Sequence, residues 1–182
     1  MRARFRFPNR HTIRTKGYDY RTPGAYFVTL CTKPRIPLFG NITDGRMRLN
    51  RFGIIARRCW LETHIHFPNV RVDEFIVMPD HVHALIVIRE TDRCKPYKPI
   101  QSVRTSAWPN GPLPGSLGAI VGSYKSAVSK EINRLRNTPG AKIWLRNYHE
   151  HILWNRTSLE RVRLYIRNNP RKAWEKARKP ET

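Results

Sequence analysis

The chain has 182 residues, which suits a single domain, and 40% of them are hydrophobic, which provides a core and excludes global disorder. Its 35 lysines and arginines against 13 aspartates and glutamates leave a net charge of +22, which favours a polyanionic partner, either nucleic acid or an anionic membrane. No apolar run approaches the ~20 residues that span a bilayer, and the basic N-terminus lacks the apolar segment of a secretion signal. The three distant cysteines predict neither a zinc ribbon nor disulfides, so we expect a cytoplasmic protein.

A basic arm punctuated by glycine and proline, residues 1–24, precedes the first predicted element. Three segments rich in β-branched, aromatic and aliphatic residues predict strands, and these segments are residues 25–32, 70–78 and 81–89. Between the first two, a turn-rich stretch leads into a predicted helix over 49–67, whose apolar residues recur at helical spacing until Pro68 and Asn69 end it.

A proline-rich loop over residues 90–115 opens the second half of the chain. Ser116 predicts the N-cap of a helix over 117–136, whose apolar residues form one stripe. Residues 142–154, K-I-W-L-R-N-Y-H-E-H-I-L-W, include three aromatic residues and predict a fourth strand.

A last helix is predicted to begin at Ser158 as its cap and to end near Asn168, before Pro170, and the basic tail over 171–182 is expected to fray. The order is strand, helix, two strands, helix, strand, helix. Its first six elements match a ferredoxin-like β-α-β-β-α-β antiparallel sheet with helices on one face. We therefore predict an α+β fold in one domain over 1–182, with an added C-terminal helix.

Two histidines, His81 and His83, stand at the start of the third predicted strand. Side chains alternate across a strand, so both imidazoles point to one face and their spacing lets them bind one metal ion. The alternative is a pair of hydrogen-bonded core histidines, and the pattern alone does not choose between the two interpretations. A second pair, His64 and His66, lies near the end of a predicted helix, where residues two apart face nearly opposite ways. We therefore do not expect that pair to share a metal.

The last predicted helix carries an apolar side formed by Leu159, Val162 and Ile166, which we expect to anchor it to the sheet. Tyr165 and Asn169 are one turn apart and lie on the adjoining edge of that face. A tyrosine nucleophile and an amide-oxygen ligand can therefore project together toward the sheet. The alternative is an amphipathic tyrosine at the core margin and an asparagine that caps the helix.

M-P-D-H-V-H on a strand, followed far downstream by Y-x-x-x-N-P on a terminal helix, resembles the REP-associated tyrosine transposases. These are bacterial relatives of the single-tyrosine insertion-sequence transposases in the HUH endonuclease superfamily. The resemblance extends to G-A-Y-F-V-T-L-C-T, to N-Y-H-E-H-I-L and to the basic ending, and it covers most of residues 17–174. It implies a metal-dependent endonuclease and strand transferase that acts on single-stranded DNA with hairpin or palindromic repeats through a 5′-phosphotyrosine intermediate.

The resemblance also implies roles for individual residues. His81, His83 and Asn169 would bind a divalent metal, Mg²⁺ or Mn²⁺, and Tyr165 would be the nucleophile. It implies a DNA partner and no membrane partner, with the protein on the nucleoid when bound. It leaves open whether the protein is a monomer or a homodimer, and whether the tyrosine acts in cis or in trans.

Three further residues of the N-Y-H-E-H-I-L segment are candidates for the site. His151 and Glu150 match positions of the family whose auxiliary roles the residues themselves do not define. Tyr148 is an alternative nucleophile, but single-tyrosine relatives carry the nucleophile on a helix, which favours Tyr165.

The basic residues around 125–146 and 161–179 are expected to follow DNA phosphates, with Trp108, Trp144 and Trp154 as candidates for base stacking. One alternative function is a non-catalytic nucleic-acid-binding protein derived from such a transposase. Another is an RNA-binding ferredoxin-like module, which would carry exposed aromatic residues on a sheet strand in place of paired histidines. A replication initiator or relaxase would share the chemistry but usually has additional domains.

Overall fold

The computed structural model describes residue 15 and residues 18–90 and 112–178. Most of the predicted arm, most of the proline-rich loop and the end of the tail lie outside these residues. What the sequence predicts for those parts of the chain stays a prediction.

The described part of the chain forms six strands and four helices. In chain order they are β1 (Gly24–Cys31), β2 (Gly40–Thr43), β3 (Arg46–Leu49), α1 (Arg51–Leu61), α2 (Thr63–His66), β4 (Val70–Val77), β5 (His81–Ile88), α3 (Leu117–Arg136), β6 (His149–Leu153) and α4 (Arg156–Ala177). None of the helices in these residues combines the length and the apolar character needed to cross a bilayer.

Four of the strands form one antiparallel sheet in the order β4-β5-β1-β6. The helix α1 follows β1, and α3 connects β5 to β6 along the chain. This is the ferredoxin-like β-α-β-β-α-β arrangement, so the predicted fold class is confirmed. The additional helix α4 carries Tyr165.

The core lies on the face of the sheet that α1 and α3 cover. Alternate side chains of β1 and β5 are fully buried there, as strand periodicity requires, and they are Tyr26, Val28, Leu30, Val82, Ala84 and Ile86. Trp60 of α1 and Tyr124 of α3 meet edge to face above them, with ring centroids 4.7 Å apart. The other face of the sheet is left for α4, which contacts β4, β5 and β6.

The turn-rich stretch after β1 contains a hairpin that the sequence analysis did not predict. β2 and β3 pair across Asp44 and Gly45, which both have positive φ angles, 50° and 68°. Asp-Gly favours this two-residue turn because both of its central residues need positive φ. The hairpin contacts α4, and a Cβ atom at Gly45 would lie 3.6 Å from the Cα of Arg171.

The fourth strand is shorter than predicted, because only residues 149–153 pair with β1. Trp144 makes an isolated bridge to Thr32, and its indole is buried against α3, where Nε1 donates to the carbonyl of Lys125 at 3.1 Å. Leu145 N–H also donates to the carbonyl of Cys31 at 2.9 Å, and the carbonyl of Ile143 accepts from Lys33 N–H at 2.7 Å. The preceding segment therefore keeps a short stretch of pairing at the end of β1 while its indole packs against α3.

Both predicted ends of the last helix are wrong. Asn155 is the N-cap, because its side-chain oxygen accepts the backbone N–H of Ser158 at 2.8 Å, and the helix continues through Pro170 to Ala177. An internal proline removes a helix hydrogen bond and costs about 3 kcal/mol. Burial of Ile166 and Pro170 on the sheet side of α4, together with the contact from the β2–β3 hairpin, offsets that cost. The predicted fraying therefore does not begin at residue 171.

Two acidic residues of β4 hold α4 in place. The β4–β5 register shifts between Val72 and Phe75, which turns both Asp73 and Glu74 toward α4. Arg163 donates from Nε and Nη2 to the two carboxylate oxygens of Asp73 at 2.7 and 2.6 Å, and Arg167 donates to Glu74 at 2.6 Å. The hydrogen bonds from Arg163 hold the pKa of Asp73 below its usual value. These pairs fix the rotation of α4 about its own axis.

We expect Arg163→Met to lower the free energy of unfolding by about 1–3 kcal/mol, because it removes a bidentate partner from a carboxylate that is only 6% exposed. Arg171→Met is the matched control, since Arg171 pairs with Glu175 on the open surface, and we expect a change below about 0.5 kcal/mol. Urea unfolding measures both. Equal losses in the two variants would show that the pair with Asp73 does not hold the helix.

Candidate active site

His81 and His83 lie on the face of the sheet that α4 covers. Their Nε2 atoms are 3.0 Å apart, and their ring centroids are separated by 4.5 Å. Two imidazole nitrogens this close need a proton or a cation between them, because two lone pairs repel each other. Because side chains alternate along β5, the two imidazole rings lie next to each other on the same face of the sheet, as the sequence pattern predicts.

The far nitrogens of both rings have hydrogen-bond partners. Nδ1 of His81 is 2.6 Å from Oδ1 of Asp80, and Nδ1 of His83 is 2.9 Å from Oγ1 of Thr29. An ionised carboxylate only accepts, so the Nδ1 proton of His81 donates to Asp80 and its Nε2 keeps a lone pair when the ring is neutral. Such outer partners set the tautomer and orientation of metal-binding histidines.

Burial controls the protonation of His83. His83 is only 6% exposed, and burial, aided by the neighbouring His81, lowers the pKa of His83 to about 3. Burial raises the pKa of Asp80, but its hydrogen bond to His81 and its ion pair with Arg35 outweigh that effect, so the pKa is lowered overall. At neutral pH the site therefore offers a neutral His83 imidazole next to an ionised carboxylate.

The paired imidazoles fit a divalent metal. An octahedral ion with ligand distances of about 2.1 Å places neighbouring ligand atoms about 3.0 Å apart, which matches the two Nε2 atoms. Within residues 18–90 and 112–178, no three histidine, cysteine, aspartate or glutamate side chains cluster in a way that could hold an ion. A third protein ligand from these residues would thus be of another type, such as an amide.

Tyr165 reaches the same point from α4. Its hydroxyl is 3.4 Å from Nε2 of His83, and the two ring centroids are 5.2 Å apart. The edge of the tyrosine ring meets Phe27 at 5.9 Å, and 38% of the residue stays exposed. The phenol is therefore fixed by aromatic packing and is still accessible to a large substrate.

Asn169 lies one turn beyond Tyr165 and is half-buried. It is next to Pro170 and three residues after Ile166, both of which are buried toward the sheet, so it also lies on the sheet side of α4. Its proposed role as a metal ligand stays a prediction.

The structure separates the three candidates of the segment before α4. His151 is exposed on the α4 side of the sheet, where its ring is nearly parallel to that of Phe27, at 10° and 6.3 Å. Glu150 pairs in register with the buried Val28, so it faces the core side of the sheet, away from the histidine pair. Tyr148 packs against the same core side, with Nζ of Lys125 5.7 Å from its ring centre. Of the three, only His151 shares a face with Tyr165.

Glu150 interacts with another phenol in the core layer. Burial raises the pKa of Tyr20, and a hydrogen bond with Glu150 raises it further. The sheet lies between Glu150 and the histidine pair. The auxiliary role that the family resemblance suggests for Glu150 stays a prediction.

Two predictions about nucleic-acid contacts are corrected. Trp144 is buried and does not present a stacking surface, whereas Trp154 is 75% exposed. Lys125 does not follow a phosphate path, since its Nζ donates to the carbonyls of Leu145 and Asn147, and burial lowers its pKa to about 8. Trp108 lies outside the described residues.

The rejected pair, His64 and His66, is exposed on the short helix α2. His64 hydrogen-bonds the carbonyl of Leu61 at 2.6 Å, near the end of α1. That these two side chains do not share a metal stays a prediction.

The sequence analysis missed Thr29, Asp80 and Phe27. Asp80 directly precedes His81, and that adjacency is a signal that sequence reasoning can use. Thr29 and Phe27 could not be found in this way, because their places depend on the register in which Thr29 lies opposite His83.

No protein-family model matches the chain. An uncharacterized protein of Haemophilus influenzae is 38% identical over 162 residues, which are 89% of this chain and 88% of that protein. The chain belongs to the same family as that protein.

A solved structure bears on the fold of the chain. It is described as a REP-associated tyrosine transposase bound to a REP hairpin, and it aligns with a TM-score of 0.59 and 16% identity. The alignment covers 88% of this chain and 73% of the transposase chain. The fold that the sequence motifs imply is therefore confirmed.

We expect the metal-free protein to lose stability as the pH falls below about 6.5. The folded state protonates His83 only near pH 3, whereas the unfolded chain protonates it near its ordinary pKa of 6.5. Between these values the unfolded state binds more protons than the folded state. The free energy of unfolding therefore decreases by up to about 1.4 kcal/mol for each unit by which the pH is lowered.

Urea unfolding in EDTA between about pH 6.5 and 5 measures this slope, because carboxylates with lowered pKa values titrate at more acidic pH. His83→Gln should flatten it. An unchanged slope in that variant would mean that His83 is not the group responsible.

Proposed function

We propose that the chain is a metal-dependent endonuclease and strand transferase, a transposase, that acts on single-stranded DNA through Tyr165. The observation that carries the proposal is the distance of 3.4 Å between the Tyr165 hydroxyl and Nε2 of His83, next to the paired Nε2 atom of His81. The net charge of +22 and the shared fold with a hairpin-bound transposase support DNA as the substrate.

His81, His83 and Asn169 would hold the divalent ion, Mg²⁺ or Mn²⁺. When bound, the ion would polarise the scissile phosphate and stabilise the charge that develops in the transition state. Asp80 and Thr29 keep the two imidazoles oriented through their Nδ1 atoms, so the chain's own hydrogen bonds prepare the ligand set.

Tyr165 would attack the phosphorus of one phosphodiester in line. A bond forms between its phenolic oxygen and phosphorus while the bond to the 3′ oxygen breaks, giving a 5′-phosphotyrosine and a free 3′-hydroxyl. The phenol releases one proton and the departing 3′ oxygen takes one up. A second 3′-hydroxyl can reverse the step, because the phosphotyrosine conserves the phosphoester, and new ends are then joined without ATP.

One chain carries both the proposed nucleophile and the histidine pair that it approaches. Tyr165 approaches the histidine pair of its own chain, and the pairs of Arg163 with Asp73 and Arg167 with Glu74 keep α4 there. We therefore propose that the tyrosine acts in cis. The proposed DNA carries hairpin-forming repeats, in line with the REP hairpin bound to the structural relative.

We expect Tyr165→Phe to reduce nicking of a hairpin-bearing single-stranded DNA in Mn²⁺ by at least about 1,000-fold, because it removes the attacking oxygen. Its DNA affinity should stay nearly unchanged, since the ring that packs against Phe27 is retained. Gel assays of nicking and anisotropy measurements of binding separate the two properties.

Tyr148→Phe is the matched control and should nick normally, because Tyr148 lies on the other side of the sheet. EDTA should stop nicking by the wild type. Nicking by Tyr165→Phe, or nicking that persists in EDTA, would contradict the proposal, and a wild type that binds but never nicks would favour the non-catalytic alternative.

A further inference from the structure

A cleft of about 440 Å³ opens between α4 and the edge strand β6, directly beside Tyr165. Neither the proposed metal ligands nor the proposed covalent step uses this space. The sheet and α4 both contribute to it, and the side chains that matter here are Phe27, His151, Leu153, Ser158, Arg161 and Val162.

We propose that this cleft binds the unpaired nucleotide next to the phosphate that Tyr165 attacks, with the base at Phe27 and His151 and the phosphate near Arg161. The inference rests on the proposed function, because it assigns a subsite for the same single-stranded DNA. It concerns the choice of the bond to be cut, which the covalent chemistry by itself leaves undetermined.

The size and surface of the cleft suit a nucleotide. Its volume lies within the range of about 300–1,000 Å³ of small-molecule sites, which are mostly apolar with a few polar groups. Rings of His83, Phe27 and His151 run across three neighbouring strands, with successive centroids 5.4 and 6.3 Å apart. This row ends at the exposed His151 on the edge strand. Aromatic faces of this kind bind bases with little regard to sequence.

The charges around the cleft suit a phosphate. Arg161 contributes an exposed guanidinium and Ser158 a hydroxyl, both from the first two turns of α4. No carboxylate occurs among the described side chains that line the cleft. The positive end of the α4 helix dipole lies at the same end of the helix and adds to the attraction for an anion.

Tyr165 links the cleft to the chemistry, because it forms part of the cleft wall and also approaches Nε2 of His83. A base held at Phe27 therefore places its own phosphodiester beside the phenolic oxygen. Such positioning lowers the barrier for attack at that phosphate and disfavours attack at others. A base-paired nucleotide cannot enter in this way, so the cleft directs cleavage to unpaired DNA.

The test compares two labelled 12-nucleotide probes, oligothymidylate and the same backbone with abasic sugars, in EDTA so that no cleavage occurs. His151→Ala and Val162→Trp should weaken oligothymidylate binding by about fivefold to 150-fold, which corresponds to the loss of one base stack. Neither should change binding of the abasic probe by more than about twofold. His66→Ala is the control, since His66 is an exposed histidine on the opposite face of the sheet.

Arg161→Ala should weaken both probes equally, because it removes a phosphate contact, and Arg57→Ala on α1 should weaken neither by more than about twofold. His151 is exposed, so its variant tests the idea even if Val162→Trp fails to fold. Equal loss of both probes, or no loss, in His151→Ala would overturn the assignment of the cleft. That outcome is independent of whether the wild type nicks DNA in Mn²⁺, so the two proposals can fail separately.

Discussion

The attachment of α4 to β4 is the constraint on which the rest of the site depends. A shift in the β4–β5 register turns two consecutive carboxylates toward the helix, where Arg163 and Arg167 meet them. The rotation of the helix about its axis follows from these pairs, and it brings Tyr165 over His83. The same docking forms one wall of the cleft beside β6. A helix rotated by one residue, about 100°, would carry the phenol away from both.

Local and global electrostatics have different roles in this molecule. Near the sheet, Asp73 and Asp80 are matched by arginine and histidine partners, and both have lowered pKa values. Asp73 holds α4 in place and Asp80 orients His81, while the chain as a whole keeps a net charge of +22. The remaining basic side chains keep the surface attractive to a polyanion. Burial meanwhile keeps the His83 imidazole neutral, and its Nδ1 is engaged by Thr29, so Nε2 is the nitrogen that could bind a metal.

Much of the fold and part of the site follow from periodicity in the sequence. Alternation in β5 predicts the shared face of His81 and His83, and helical spacing predicts that Tyr165 turns toward the sheet. Sequence periodicity does not give the strand register, so it does not reveal that Thr29 supports His83. Nor does it show that tertiary packing carries α4 through Pro170, against the local preference for a helix end. The separation of Tyr148 from the site likewise depends on the side of the sheet on which this residue, just before β6, packs.

The most direct test of the account is to identify the residue that becomes joined to DNA. The protein is incubated with hairpin-bearing single-stranded DNA and Mn²⁺, the covalent adduct is digested with trypsin and nuclease, and the nucleotide-bearing peptide is identified by mass spectrometry. The account predicts a phosphonucleotide remnant on residues 164–167, the tryptic peptide that contains Tyr165. A remnant on residues 147–156, which contain Tyr148, or the absence of any adduct from actively nicking protein, would contradict it.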